Sequence, residues 1–246
     1  MPLNISKNFK TFLAILHQIK LRYKIYGFKW TIKLSAERLY RYLYFQLFQK
    51  SFSQYGEDLI VTKILNHKKN IFYVDIGSNH PVKFNNTYHF YLQGHHGINI
   101  DPNKQIINIC QRIRPRDQNI PIGISDNNST GTFYLMDPHV NSTMTKSRCV
   151  HYQSKGAKLI EQNKCQILSF KNFYEKFCHK KKIDFLSIDA EGVELKILKN
   201  IPWTVCHPTA ICLETYHDDT LSKYLISVGY KLIKDTRLNS VFKYDK

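Results

Sequence analysis

Two stretches decide the reading of this chain: Ile71-Phe72-Tyr73-Val74-Asp75-Ile76-Gly77-Ser78-Asn79 and, further on, Gly97-Ile98-Asn99-Ile100-Asp101. Each is an apolar, β-prone run that closes on an acid. In an open α/β sheet, ligands bind beyond the carboxyl ends of the strands. A strand ending in Asp-x-Gly, beside another ending in an acid, is a layout that holds a nucleoside. Gly77 lets backbone approach the ligand, and Asp101 can accept hydrogen bonds from both ribose hydroxyls.

A dinucleotide site would show G-x-G-x-x-G, with glycines making room for a pyrophosphate on a helix N-terminus. Here Gly77 stands alone, followed by Ser78-Asn79-His80-Pro81. Asp75 would repel a diphosphate and suits a cationic ligand with an amino group. S-adenosylmethionine (SAM), with its sulfonium, α-amino group and ribose and no phosphate, is the expected cofactor.

Outward from these strands, the pattern alternates. Ser53 is expected to cap a helix running to about Leu65, with Glu57 and Asp58 near its positive end. The reading continues with strand 71–76, a short helix near 86–93, strand 97–100, helix 103–113 and strand 119–124. A small hairpin arm, 132–136, precedes a polar stretch, 137–163, too long for an ordinary connection and read as a functional insertion or lid. Strand 165–168, helix 170–179, strand 184–188, helix 192–199, strand 209–214 and helix 218–227 follow. Residues 230–234 and 240–244 form an antiparallel pair. Alternation of strand and helix predicts a mostly parallel sheet with right-handed crossovers. The closing hairpin points to a Rossmann-like class I methyltransferase fold of seven strands.

The chain has 246 residues, 43% of them hydrophobic, which suits one α/β domain plus an appendage. No run of eighteen apolar residues predicts a membrane span, and the N-terminus lacks a signal-peptide pattern. The six cysteines form no C-x-x-C pair, which favours reduced, structural thiols in a cytoplasmic protein. Net charge is +17, with 36 Lys+Arg against 19 Asp+Glu. Residues 1–50 supply +9 of it, and the other 196 supply +8. This arm carries apolar stripes at helical spacing, among them Phe9, Phe12, Leu13 and Leu16. It reads as a basic, aromatic, helical arm distinct from a domain over 51–246. It is either a cap on the core or a peripheral anchor on an anionic membrane surface.

The motifs, taken in order, resemble the FkbM family of SAM-dependent methyltransferases. They are Ser53-Gln54-Tyr55-Gly56-Glu57-Asp58, Tyr73 through Pro81, Asn86-Thr87, Gly94, Gly97 through Pro102, Arg114-Pro115-Arg116-Asp117, Ser142-Thr143, and Asp184 through Gly192. The resemblance runs from Ser53 to about Tyr244 and leaves residues 1–50 outside. Ser78 stands where alanine is usual and Ala190 where valine is usual. The resemblance implies O-methylation of a sugar hydroxyl in a glycan or glycosylated metabolite.

Roles follow for single residues. Asp75 and Gly77 would hold the methionine end of SAM, and Asp101 the ribose. Ser125 and Asp126 would read the adenine edge. Asn79 and Asn86 could bond the SAM carboxylate, and Gln54 could close over the cofactor. Asp189 is the first candidate for general base or orienting acid, with Glu191 and His80 behind it. The favoured reading assigns no metal. Asp189 and Glu191, spaced i, i+2, could hold a divalent ion, but no third ligand is evident unless Glu214 and His217 add one. A nucleic-acid methyltransferase is the alternative raised by the positive charge. The chain lacks the Asp/Asn-Pro-Pro-Tyr and Pro-Cys signatures of such enzymes, so nucleic acid is disfavoured. A catalytically silent binding module with the same fold is the remaining reading.

Overall fold

The computed structural model describes residues 51–66, 68–215, 219–236 and 238–245. The expected basic arm, residues 1–50, lies outside them, as does His217, named above as a candidate metal ligand. The strands are β1 (Phe72–Ile76), β2 (His96–Ile100), β3 (Gln118–Ile120), β4 (Gly123–Ser125), β5 (Ser129–Asp137), β6 (Lys158–Ser169), β7 (Phe185–Ile188), β8 (Ala210–Glu214), β9 (Tyr230–Asp235) and β10 (Asn239–Tyr244). The helices are α1 (Glu57–Leu65), α2 (Tyr88–Leu92), α3 (Lys104–Ile113), α4 (Lys146–Ser154), α5 (Phe170–Lys176), α6 (Glu194–Asn200) and α7 (Asp219–Ser227).

Seven strands form the main sheet in the order β3-β2-β1-β7-β8-β10-β9. The first five are parallel, and β10 runs antiparallel to both β8 and β9. This is the expected class I methyltransferase architecture. The parallel strands are covered on both faces, so successive residues feed two separate cores. Val74, Ile76, Leu186, Ile188, Ile211 and Leu213 join one core with α5, α6 and α7. Tyr73, Phe185, Ala210 and Cys212 join the other, with Val61 and Leu65 of α1 and Phe90 and Tyr91 of α2. All six cysteines are free and buried. No helix of the described residues is long and apolar enough to cross a membrane.

Three expectations change. The strand expected over 119–124 divides at Pro121, which has no N–H to give a ladder. β3 stays in the main sheet, while β4 pairs with β6 in a second, three-stranded sheet ordered β4-β6-β5. The stretch 137–163 is not irregular. It contains a short 3₁₀ turn at His139–Asn141, helix α4 and the first part of β6. β6 has twelve residues rather than the four expected, because β5 pairs with nearly its whole length. Its first seven residues are exposed or half-buried, so alternation could not reveal them. Finally, α1 starts at Glu57 behind Gly56, which sits at φ 84 and offers no side-chain cap. Ser53, outside the N-cap position, still reaches the first turn: its Oγ accepts from Asp58 N at 3.4 Å and donates to Asp58 Oδ1 at 3.0 Å.

Behind β1 lies a buried polar network. Arg114, fully buried, donates to Asp117 Oδ2 (2.7 Å), Asn85 Oδ1 (3.1 Å) and Thr87 Oγ1 (2.9 Å). Asp117 also accepts from the Tyr73 hydroxyl, Gly97 N and Asn99 Nδ2. The Arg114-Pro115-Arg116-Asp117 motif is thus a clamp that ties β1, β2 and the segment before α2 together.

Candidate active site

A cleft enclosing about 650 Å³, counting its open mouth, lies at the carboxyl ends of β1, β2 and β7. One wall comes from Ile76, Gly77 and Asn79, and from Asp101 through Asn103 and Ile106. Ile122, Gly123 and Ile124 line it where the chain leaves the main sheet, and Phe133 adds an aromatic side. The 139–144 segment closes over it with His139, Val140, Ser142, Thr143 and Met144. Asp189, Ala190 and Glu191 complete the lining. Among these lining residues are three carboxylates and no Lys or Arg.

Gly77 has a backbone reason to be glycine. Its φ is +76, and a Cβ there would stand 1.8 Å from the Asp189 carbonyl oxygen. Gly77 N and Ser78 N both donate to Ile100 O, at 2.8 and 3.0 Å, which seats this turn against the end of β2. Asp101 is held just as firmly. Its Oδ1 accepts from Asn103 N (2.8 Å) and its Oδ2 from Asn79 N (3.1 Å). Burial pushes its carboxyl up to about 6, against those two N–H bonds.

The other carboxylates gather at the ends of β7 and β8. The parallel register pairs Ile188 with Leu213, so Asp189 and Glu214 are the next residues side by side. Ligand oxygens of Asp189, Glu194 and Glu214 lie within 4.8 Å of one another. Burial, followed by the charges of Glu214 and Glu191, holds Asp189 well above the usual carboxylate range. Burial and the charges of Glu191 and Glu194 lift Glu214 to about 7. Asp189 Oδ1 is buried without a hydrogen-bond partner. Glu194 Oε1 accepts from Ala190 N and Gly192 N, both at 3.0 Å. Glu191, at φ 53, turns the other way: its Oε2 accepts from Arg148 Nη1 (2.5 Å) and the Tyr152 hydroxyl (2.8 Å), both from α4. Burial raises its carboxyl in spite of those partners.

A model of the methyltransferase FkbM domain matches residues 75–232. The chain belongs to the FkbM methyltransferase family. No curated protein matches it. Among solved structures, it is similar to a TehB-like SAM-dependent methyltransferase from Corynebacterium glutamicum at 9% identity and a TM-score of 0.40, covering 77% of this chain and 88% of that one. A precorrin-6y C5,15-methyltransferase from Geobacter metallireducens matches at 11% identity and a TM-score of 0.38, covering 77% and 87%. The fold assignment rests on the strand order rather than on these distant likenesses.

Within this FkbM domain, the cleft brings together Gly77, Asn79, Asp101, Asp189 and Glu191 of the residues singled out from sequence. It does not include the rest. Asp75 shares a strand face with Tyr73, so its carboxylate turns toward α2 and accepts from Thr87 Oγ1 (2.8 Å) and Asn85 Nδ2 (3.1 Å). Burial raises that carboxyl, with Arg114 pulling the other way. Asp75 therefore braces the cleft from behind. Asn86 donates to Ser187 Oγ at 3.1 Å on the same hidden face. Ser125 donates to its exposed neighbour Asp126 (3.1 Å), beyond the stretch of β4 that lines the cleft. Gln54 lies before α1 and does not reach the lining. The Nδ1 of His80 accepts from Val82 N and Lys83 N, which fixes the ring in its own loop.

Sequence reasoning missed His139, Met144, Phe133, Arg148, Tyr152 and Glu194. The excess length of the 137–163 connection was the available signal for the first two and for the α4 residues. Nothing local marks Glu194 as a neighbour of Glu214.

Proposed function

We propose that the chain is a SAM-dependent O-methyltransferase acting on a hydroxyl of a sugar, in a glycan or a glycosylated metabolite. The observation that carries this reading is one cleft with two buried carboxylates on its wall, Asp101, fixed by two backbone N–H groups, and Asp189. The residues present fit the cofactor. Each Asp101 oxygen is held by one backbone N–H, which leaves lone pairs for two hydroxyls. Three acids without Lys or Arg suit a cationic, phosphate-free ligand. Ile106, Ile122 and Ile124 offer apolar surface for a flat base.

Asp101 would hold the ribose, and Gly77 and Asn79 would present backbone to the amino-acid end. When bound, SAM supplies an electrophilic methyl group. A sugar hydroxyl is too weak an acid to ionise near pH 7, so transfer gains from a group that accepts or orients its proton and from in-line alignment. Asp189, a buried carboxylate on the cleft wall, is the residue assigned to accept or orient that proton. Ser142, Thr143 and His139 supply hydrogen-bonding groups for a polyhydroxylated acceptor. Glu191 anchors α4 to the cleft wall through Arg148 and Tyr152.

The test is transfer of label from methyl-labelled SAM into separate glycan, lipid and RNA fractions. Label in the glycan fraction is expected. Label confined to RNA would favour the nucleic-acid alternative, and absence of SAM binding in calorimetry would leave a silent module.

A further inference from the structure

The geometry points to a binding site for one hard divalent cation, of the Mg²⁺, Mn²⁺ or Ca²⁺ type, formed by Asp189, Glu194 and Glu214. Their ligand oxygens lie within 4.8 Å of one another. Oxygens on opposite sides of Mg²⁺ stand roughly 4.2 Å apart, and around Ca²⁺ about 4.8 Å, from metal–oxygen bonds of about 2.1 and 2.4 Å. The three carboxylates are thus close enough together to share one such ion after small side-chain shifts. All donors are oxygen, which selects hard cations over zinc or copper.

Charge points the same way. Among the described residues, the ion pairs are Lys68 with Asp184, Arg114 with Asp117, and Arg148 with Glu191. Arg148 makes its contact ion pair with Glu191 and reaches Glu194 and Glu214 only as a more distant charge. Among the described residues, no Lys, Arg or His nitrogen is in ion-pair range of Asp189, Glu194 or Glu214. Independently, Asp189 Oδ1 is buried and has no donor, and the Asp189 side chain lies against that of Glu214. Glu214, which faces it, is another acceptor. A buried carboxylate oxygen without a donor is costly unless a cation or a proton sits against it.

The support around the cluster is rigid. Glu194 is fixed by the N–H groups of Ala190 and Gly192, the kind of outer hydrogen bonding that orients metal ligands. Asp189 and Glu214 are fixed by adjacent parallel strands. Asp189 also lines the cleft, so remaining coordination positions would face the acceptor. Granting the methyltransferase reading, the cation would bind the acceptor hydroxyl and lower its pKa as a Lewis acid.

The experiment uses the full chain, stripped with chelator and without SAM or acceptor. Mn²⁺ is titrated in and followed by the electron paramagnetic resonance of the free ion, with Mg²⁺ and Ca²⁺ as competitors. One Mn²⁺ per chain is expected, displaced by Mg²⁺ or Ca²⁺. Glu214→Gln and Glu194→Gln should each weaken it by roughly tenfold or more, while Glu175→Gln on the exposed side of α5 should not. SAM calorimetry on the same samples reports folding and tests the cofactor reading separately. Mn²⁺ binding weaker than about 1 mM, below the range of protein cation sites, would overturn the proposal. So would a site unchanged in both Gln variants that still bind SAM; a shared proton would then be what joins Asp189 and Glu214. Loss of SAM binding with Mn²⁺ binding intact would strike the cofactor reading alone.

Discussion

Replacing Arg114 by methionine should destabilise the domain by about 3–5 kcal/mol, the cost of leaving a buried carboxylate without its countercharge. The structure sets that range. Arg114 is fully buried and makes three side-chain hydrogen bonds, to Asp117, Asn85 and Thr87. Its guanidinium also lies 5.4 Å from the Tyr73 ring centroid and 5.5 Å from that of Tyr91. Methionine fills similar volume, so the loss is electrostatic rather than a cavity. Asp117 would keep Tyr73, Gly97 and Asn99 as donors, which keeps the loss below that of a bare buried charge. Asp75, whose carboxyl Arg114 holds down against burial, would be driven further toward its neutral form. In urea, with a slope of about 2–3 kcal/mol per molar, the midpoint should fall by roughly 1–2 M. Arg114→Lys should fall between, because one ammonium cannot span Asp117, Asn85 and Thr87 together. Adding Asp117→Asn to Arg114→Met should restore part of the loss. A midpoint within about 0.3 M of the parent for Arg114→Met would refute the claim that this pair clamps the sheet.

Asp101→Ala should weaken SAM binding by about 1–3 kcal/mol in calorimetry while the fold persists, since hydrogen bonds to a charged acceptor carry that much; unchanged affinity would remove the ribose assignment. SAM affinity of the parent should also depend on pH. Asp101 is raised to about 6 by burial, so its ionisation opposes folding, and this stability is present at low pH and lost as pH rises from the ordinary carboxylate range toward 6. Its ionised form is the better acceptor, so SAM affinity should rise through about pH 6, and Asp101→Asn should flatten that profile. Asp189→Asn should leave SAM affinity nearly unchanged and cut turnover by roughly 10²–10⁴-fold at saturating SAM. If Glu191→Gln alone loses turnover, the roles of the two acids are exchanged. Deleting residues 1–50 should keep SAM binding and lower association with anionic liposomes, at about 1 kcal/mol per basic residue near the surface; a truncated chain that cannot fold would make the arm a cap.

The strand at 71–76, the glycine after it and the acid after β2 were legible because their signals are local. An apolar run long enough for one strand, a residue suited to positive φ, and a carboxylate at a strand end each declare themselves within a few positions. The fold class followed from the order of such signals, closed by the hairpin at 230–244. What lay outside that reach depended on neighbours from elsewhere in the chain. The first seven residues of β6 read as polar loop until β5 pairs with them, because backbone bonds, not side chains, hold them in the sheet.

The site shows the same division. Sequence determined that Asp75, Asp101, Asp189 and Glu191 sit at strand ends, near the edge where such sheets bind ligands. It did not determine which way each carboxylate turns. Side chains alternate along a strand, so Asp75 follows Tyr73 into the α2 core while Ile76 faces the cleft. Glu191 meets Arg148 and Tyr152 only because α4 packs back across the end of β7. Asp189 meets Glu214 only because β7 and β8 are adjacent and in register. Residue types and strand ends are properties of the chain, but the partners of a carboxylate are set by sheet order, register and the packing of the 137–156 segment, which arise from long-range burial and exist only in the folded molecule.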